Sequence, residues 1–303
     1  MKCSSTQNPL IQTQLLSLME ISNGRPHVTI GIIDGPVDLT HPAFSKSNIR
    51  TTRTHQYNVC KNAGSTACMH GTFVTGILCA KRGLSAPAIC PGCQIILHPI
   101  FKEENKCSAT NCRSFPVATP KELANAIIET VDAGAKIINL SLGLSSSSLA
   151  VYQSIQNAYD YALMKNVVIV VAAGNQTDIG SISLINHQWP IPVTLCDENG
   201  HVTPLSPFGP SIGNRGIMAP GENIISTYPR ERYGYMSGTS FAVPFVTGTL
   251  ALLLSIFPKA TSAQLIYVMR LCFSRRHAII PKLLNAKVAY DTLLAIFESS
   301  ESR

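Results

Sequence analysis

Charge is scarce in this chain: Asp, Glu, Lys and Arg make up only 14% of its 303 residues. Aromatics are few as well, at 7% with a single Trp. Set beside 45% apolar residues, so little charge excludes a disordered chain and indicates a compact core. The net charge is +7, yet no block of Lys and Arg stands out. A scattered basic excess gives no support to a nucleic-acid partner. Long apolar runs are missing too, since the longest strong one, Leu250–Phe257, falls far short of the roughly 20 residues a membrane span needs. The N-terminal stretch is no signal peptide, because its apolar patch, Leu15–Ile21, is broken by Ser17 and Glu20. These absences predict a cytoplasmic chain with no membrane partner. Neither an internal repeat nor a clear linker divides it.

What is present alternates between strands and helices. His27–Ile33 is a continuous apolar run, as expected of a strand buried on both faces. It ends on Asp34-Gly35-Pro36, which places a carboxylate at the strand's C-terminal tip, where open α/β sheets build their sites. A helix is predicted to open at His70 and to pack tightly through Gly71 and Gly76. Strands are expected over Gln94–Phe101, Ala135–Leu140 and Val167–Ala172, with shorter ones near Ile191–Leu195 and Asn223–Ser226. Helices are expected over Pro120–Ala133, Leu149–Lys165, Thr261–Leu271 and about Ala286–Glu298, the third opening with a Thr261-to-Gln264 capping box. This order predicts an α/β fold, a doubly wound and mostly parallel sheet with helices on both faces.

Three residues beside glycine-rich turns follow in the order Asp34, His70, Ser240. Ser240 opens an apolar helical stretch that runs through Phe257, with Pro244 in its first turns, where a missing N–H is expected to cost little. A serine hydroxyl is a weak nucleophile until a base removes its proton. Histidine titrates near neutrality and can take that proton and return it to a leaving amine. An aspartate can fix the imidazole tautomer and stabilise the imidazolium. Asn175, on a turn after a buried strand, can donate to an oxyanion together with the Ser240 backbone N–H. Each residue alone has a bland reading as a turn or cap. Their joint order is that of the subtilisin arrangement.

Five segments carry an explicit resemblance: Ile33-Asp34-Gly35-Pro36-Val37-Asp38, His70-Gly71-Thr72, Ser141-Leu142-Gly143, Ala172-Ala173-Gly174-Asn175 and Gly238-Thr239-Ser240-Phe241-Ala242-Val243-Pro244. They resemble the signature segments of the subtilisin-like serine proteases of the S8 type, and the likeness covers about residues 25–295. The resemblance implies a sheet of about seven strands and an endopeptidase acting through an acyl-enzyme. Asp34, His70 and Ser240 would be the triad and Asn175 the oxyanion donor. Ser141, Leu142 and Gly143 would form one edge of the substrate cleft, a loop near Phe115 the other, and Gln176 the rim of the specificity pocket. The domain reading is an N-terminal extension over 1–24, one peptidase domain over 25–298 and a short tail over 299–303.

The phrase Asp34-Gly35-Pro36-Val37-Asp38-Leu39-Thr40-His41-Pro42 is similar to the proteases that mature cyanobactin precursors. That subgroup implies a precursor peptide as substrate. Its macrocyclases carry a helical insertion between the catalytic Asp and His, and only 35 residues separate Asp34 from His70 here. Hydrolysis is therefore expected over transamidation, and the intact triad argues against a silent peptide-binding protein. The short stretch before the first strand predicts that no inhibitory prodomain precedes it. No loop dense in Asp and Asn announces calcium.

Ten cysteines complete the sequence. The Cys90/Cys93 and Cys107/Cys112 spacing looks like two zinc knuckles, but both pairs fall in loops that the protease fold already accounts for. Local disulfides at Cys107–Cys112 and Cys60–Cys68 stand against free thiols in a reducing cytosol. No metal or cofactor is expected. Cys79 is read as core, the remaining histidines as surface or hydrogen-bonded, and Trp189 as packing near the pocket wall.

Overall fold

Short runs rich in Ile and Val become parallel strands because both of their faces meet apolar helices. The computed structural model describes residues 8–52, 60–103, 118–142, 149–175, 184–271 and 279–301. Seven strands form one sheet: β1 (Thr29–Asp34), β2 (Asn48–Thr51), β3 (Gln94–Pro99), β4 (Ile137–Leu140), β5 (Val168–Ala172), β6 (Ile191–Cys196) and β7 (Ile217–Pro220). Every pairing is parallel, and the order is β2-β3-β1-β4-β5-β6-β7. The chain winds outward from β1 to one edge, then returns to its other side. The C-terminal tip of β1 is therefore the switch point of the sheet.

Side chains alternate between two cores along each strand. In β5, Val168, Val170 and Ala172 face one layer while Ile169 and Val171 face the other. The first layer holds α2 (Leu15–Ile21), α3 (Thr66–Cys79), α7 (Thr239–Ile256), α8 (Ser262–Leu271) and α9 (Ala286–Glu301). The second holds α4 (Pro120–Asp132) and α5 (Leu149–Met164). Two short helices, α1 (Pro9–Gln12) and α6 (Pro210–Gly213), a 3-10 turn at Pro42–Phe44 and an antiparallel hairpin of β8 (Ile224–Tyr228) and β9 (Arg232–Met236) complete the described elements.

Several boundaries differ from expectation. Helix α3 begins at Thr66, because the Ser65 hydroxyl accepts from the Cys68 N–H and caps it there. His70 consequently lies in the second turn. The strand near Asn223–Ser226 is real but pairs with β9 outside the main sheet. Strands β2 and β7 have four residues each, too short for a period to show. Residues 15–21 form a helix whose Leu15 and Leu18 are fully buried. Helix α7 has 18 residues and is apolar enough to cross a membrane by length and composition, but 83% of it is buried within the protein. Its apolarity is that of a core helix flanked on all sides.

One close approach positions α3. A Cβ on Gly35 would lie 2.1 Å from the Ala67 carbonyl oxygen, and one on Gly71 would lie 2.4 Å from the Gly35 oxygen. No other residue fits at either position without moving the helix off the tip of β1. Gly71→Ala is thus expected to cost about 1–3 kcal/mol by overpacking. Urea unfolding should show a lower midpoint at unchanged slope, and an unchanged midpoint would mean the contact is loose.

Candidate active site

Asp34 ends β1 at the switch point and is 1% exposed. Its Oδ1 accepts from the Gly35 N–H at 2.6 Å and from His70 Nδ1 at 2.7 Å. The other oxygen, Oδ2, is buried with no partner among the described residues. Both bonds therefore converge on a single oxygen. A carboxylate can only accept, so Nδ1 carries a proton, and in the neutral imidazole Nε2 keeps its lone pair.

Ser240 is the second residue of α7, and its two neighbours attach it to the rest of the site. Thr239 donates to Asn175 Oδ1 through its N–H at 2.8 Å and through its hydroxyl at 3.0 Å. A backbone N–H requires an acceptor, which fixes the Asn175 amide with its oxygen toward Thr239 and its NH₂ turned away. Asn175 itself is exposed. On the other side, the Phe241 ring lies 5.2 Å from the His70 ring. No hydrogen bond joins Ser240 Oγ to His70 Nε2 in this structure; such bonds often tighten only around substrate. The Ser240 N–H, in the first turn, has no intrahelical partner. The preceding Gly238 has φ of 154°, a conformation that side chains rarely adopt.

Pro244 is the sixth residue of α7, beyond the first turn, where a missing N–H leaves a carbonyl unpaired. That carbonyl belongs to Ser240. It accepts instead from the Ser141 hydroxyl at 2.6 Å. Ser141 is oriented by Asn139 Nδ2 at 2.8 Å, and Asn139 Oδ1 accepts from Thr247 Oγ1 at 2.9 Å. The proline in the helix and the serine after β4 are thus one device. The expectation that Pro244 is nearly without cost is corrected accordingly, because a residue far away in sequence supplies the missing bond.

The structure brings Asp34, His70, Asn175, Ser141 and Ser240 to one end of the sheet. The Ser141 side chain is turned to Ser240, and Leu142 is buried in the second core layer. Gly143, Phe115 and Gln176 lie outside the described residues. Trp189 sits at the opposite, N-terminal end of the strands, donating to the Val167 carbonyl just before β5, and so does not wall the site. His41 is engaged with the Ala43 N–H and the Arg232 carbonyl, and His187 with Asp160. Burial alone would raise the Asp38 carboxyl, but bonds from Thr40 and the Arg230 N–H hold it below its usual range. It anchors the β8–β9 turn. Sequence reasoning missed Asn139, whose signal was a polar residue inside the buried run Ile137–Leu140.

Cys60 and Cys68 form a disulfide two residues before His70. The same loop is held by Glu103, which accepts from the Lys61 and Asn62 N–H groups. Cys60, Cys68 and Glu103 also form the one grouping of metal-ligand types among the described residues, but both sulfurs are spent on the bridge. Cys79, Cys90, Cys93 and Cys196 are buried free thiols, with Cys79 pushed up to about 12 by burial. Cys107 and Cys112 lie outside the described residues.

The family model of the subtilases matches residues 25–280. The chain belongs to the subtilase family. A thermophilic serine proteinase of Bacillus sp. (strain AK1) is 30% identical to it over 240 residues, 78% of this chain and 54% of the relative. Subtilisin NAT of Bacillus subtilis subsp. natto is 27% identical over 78% of this chain and 58% of its own length. The chain thus spans about half the length of these relatives. Among solved structures, the protease domain of PatA matches with a TM-score of 0.78 at 27% identity, covering 90% of this chain and 97% of that one. The prenylagaramide maturation protease PagA matches at 0.77 and 25%, covering 92% and 98%. The PatG macrocyclase domain, at 20% identity and a TM-score of 0.76, shares the fold.

In this subtilase, a double-mutant cycle tests the coupling of Pro244 to Ser141. Ser141→Ala strands the Ser240 carbonyl and the Asn139 amide, at about 1–3 kcal/mol. In a Pro244→Ala background the helix can bond that carbonyl itself, so the cost should shrink by about 1 kcal/mol. Additive losses in thermal unfolding would contradict the coupling.

Proposed function

We propose that the chain is a serine endopeptidase whose nucleophile is Ser240 and whose substrate is a ribosomally made precursor peptide. The observation that carries this reading is the 2.7 Å bond from His70 Nδ1 to Asp34, which leaves Nε2 as a base beside the helix that begins at Thr239. Ser240 Oγ attacks a peptide carbonyl as its proton passes to His70 Nε2. The developing oxyanion is met by Asn175 Nδ2 and the Ser240 N–H, two donors whose other valences are already fixed. His70 then gives the proton to the leaving amine, and water resolves the ester by the same path in reverse. A peptide lying along the edge at Ser141–Gly143 would add as a strand, with Gln176 and Phe115 on the far side of the cleft.

The precursor reading rests on likeness to two maturation proteases across nearly their whole solved chains. Hydrolysis is favoured over transamidation by the segment between Asp34 and α3. Among its described residues it holds a 3-10 turn at Pro42–Phe44, strand β2 and the disulfide loop, but no helical cover that would exclude water. The peptidase unit is residues 25–298. Among the described residues, a cytoplasmic setting accords with the four free thiols, and the Cys60–Cys68 bridge stands against it.

Mass spectrometry of a precursor peptide encoded beside this chain, incubated with the protein, tests the proposal. Two linear fragments are expected, with masses summing to the substrate plus one water. A cyclic product one water lighter than the excised segment would favour the transamidase. An unchanged peptide would count against the precursor reading.

A further inference from the structure

The residue after the proposed nucleophile is a phenylalanine, Phe241, and it is 5% exposed. Its centroid lies 5.2 Å from that of His70, with the planes tilted by 45°. Behind it, Phe73 packs at 4.8 Å and 61°, and Tyr228 of the hairpin packs edge-on against Phe73 at 5.7 Å. Phe73 follows His70 by three residues on α3, so the two share a face and Phe241 spans both. A row of rings therefore runs from the hairpin to the imidazole.

The hydrogen bond to Asp34 pins Nδ1 but leaves the His70 ring free to rock about that bond. A second contact on the ring removes this freedom. It also carries charge information. The face of an aromatic ring is electron-rich and attracts a cation whose centre lies within about 6 Å. When the imidazole takes the proton, the imidazolium gains this attraction, whereas a neutral imidazole gains little. An interaction that strengthens as charge develops acts on the transition state rather than on substrate binding.

We propose that Phe241 is a positioning residue that both locks the His70 ring and stabilises its protonated form during turnover. This rests on the general-base role assigned to His70 above. The test replaces Phe241 with phenylalanines bearing one, three and five ring fluorines, which drain the ring face of electrons while nearly keeping its shape. Phe241→Leu serves as a genetically encoded counterpart with no electron-rich face. Turnover of a chromogenic peptide anilide cleaved by the unmodified protein is measured for each, with melting temperature followed in parallel. The expected result is a stepwise fall in kcat, about three- to tenfold across the series, with KM and melting temperature nearly constant. Phe241→Leu should fall at least as far. A flat kcat across the fluorinated series would overturn the proposal, since a ring that merely packs is indifferent to its electrons. Ser240→Ala is run beside the series to separate the two failures. If it is inactive and the series is flat, only the role of Phe241 fails; if it retains turnover, the reading of the site fails and this proposal with it.

Discussion

The site depends on how closely two backbones approach each other at Gly35 and Gly71. Only there can α3 rest on the tip of β1, with the space for a Cβ already filled by carbonyl oxygens. That seat puts His70 Nδ1 within 2.7 Å of Asp34. It also presents the other side of α3 to β8, where the Ser226 and Thr227 hydroxyls donate to the Phe73 and Thr72 carbonyls. The hairpin is thereby fixed, and with it the ring row that reaches Phe241. A shift of α3 by one ångström would loosen the carboxylate, the imidazole and the aromatic support together. Precision of that order is what positioned catalysis requires.

The end that holds Ser240 is fixed by a different logic. A proline deep in a helix normally leaves a carbonyl unpaired, and an unpaired buried carbonyl costs free energy. Here the loss becomes an attachment point. Ser141 takes the freed Ser240 carbonyl, Asn139 orients Ser141, and Thr247, one turn beyond Pro244, orients Asn139. The loop runs from α7 to β4 and back to α7, closing on the helix it started from. Thr239 and Phe241 then tie the same turn to Asn175 and His70. Ser240 is consequently surrounded by constraints that do not use its own hydroxyl, which stays available for chemistry.

Much of this was legible in the sequence, for identifiable reasons. Asp34, Asn175 and Ser240 each stand within two residues of a glycine at an element boundary, and His70 stands beside Gly71, so local pattern finds them. The strand runs were equally plain, because burial on both faces writes itself as unbroken Ile and Val. What stayed hidden depends on partners distant along the chain. Pro244 looked harmless until its missing bond was traced to Ser141, which lies 99 residues before the Ser240 carbonyl it pairs. Phe241 read as one letter of a motif, since nothing local shows that its ring reaches α3. The start of α3 was misplaced because His70-Gly71 drew attention past the Ser65 cap. The four-residue strands β2 and β7 are defined by their neighbours, not by their own period.

The central claim is that one serine, activated by this arrangement, does the chemistry. Treatment with a fluorophosphonate followed by peptide mapping measures that directly. The account predicts a single adduct, on Ser240, that forms at least a hundredfold more slowly when His70 is replaced by Ala, in keeping with the roughly 100- to 10,000-fold contribution of a positioned base. An adduct on another serine, or labelling of Ser240 at an undiminished rate without His70, would contradict it.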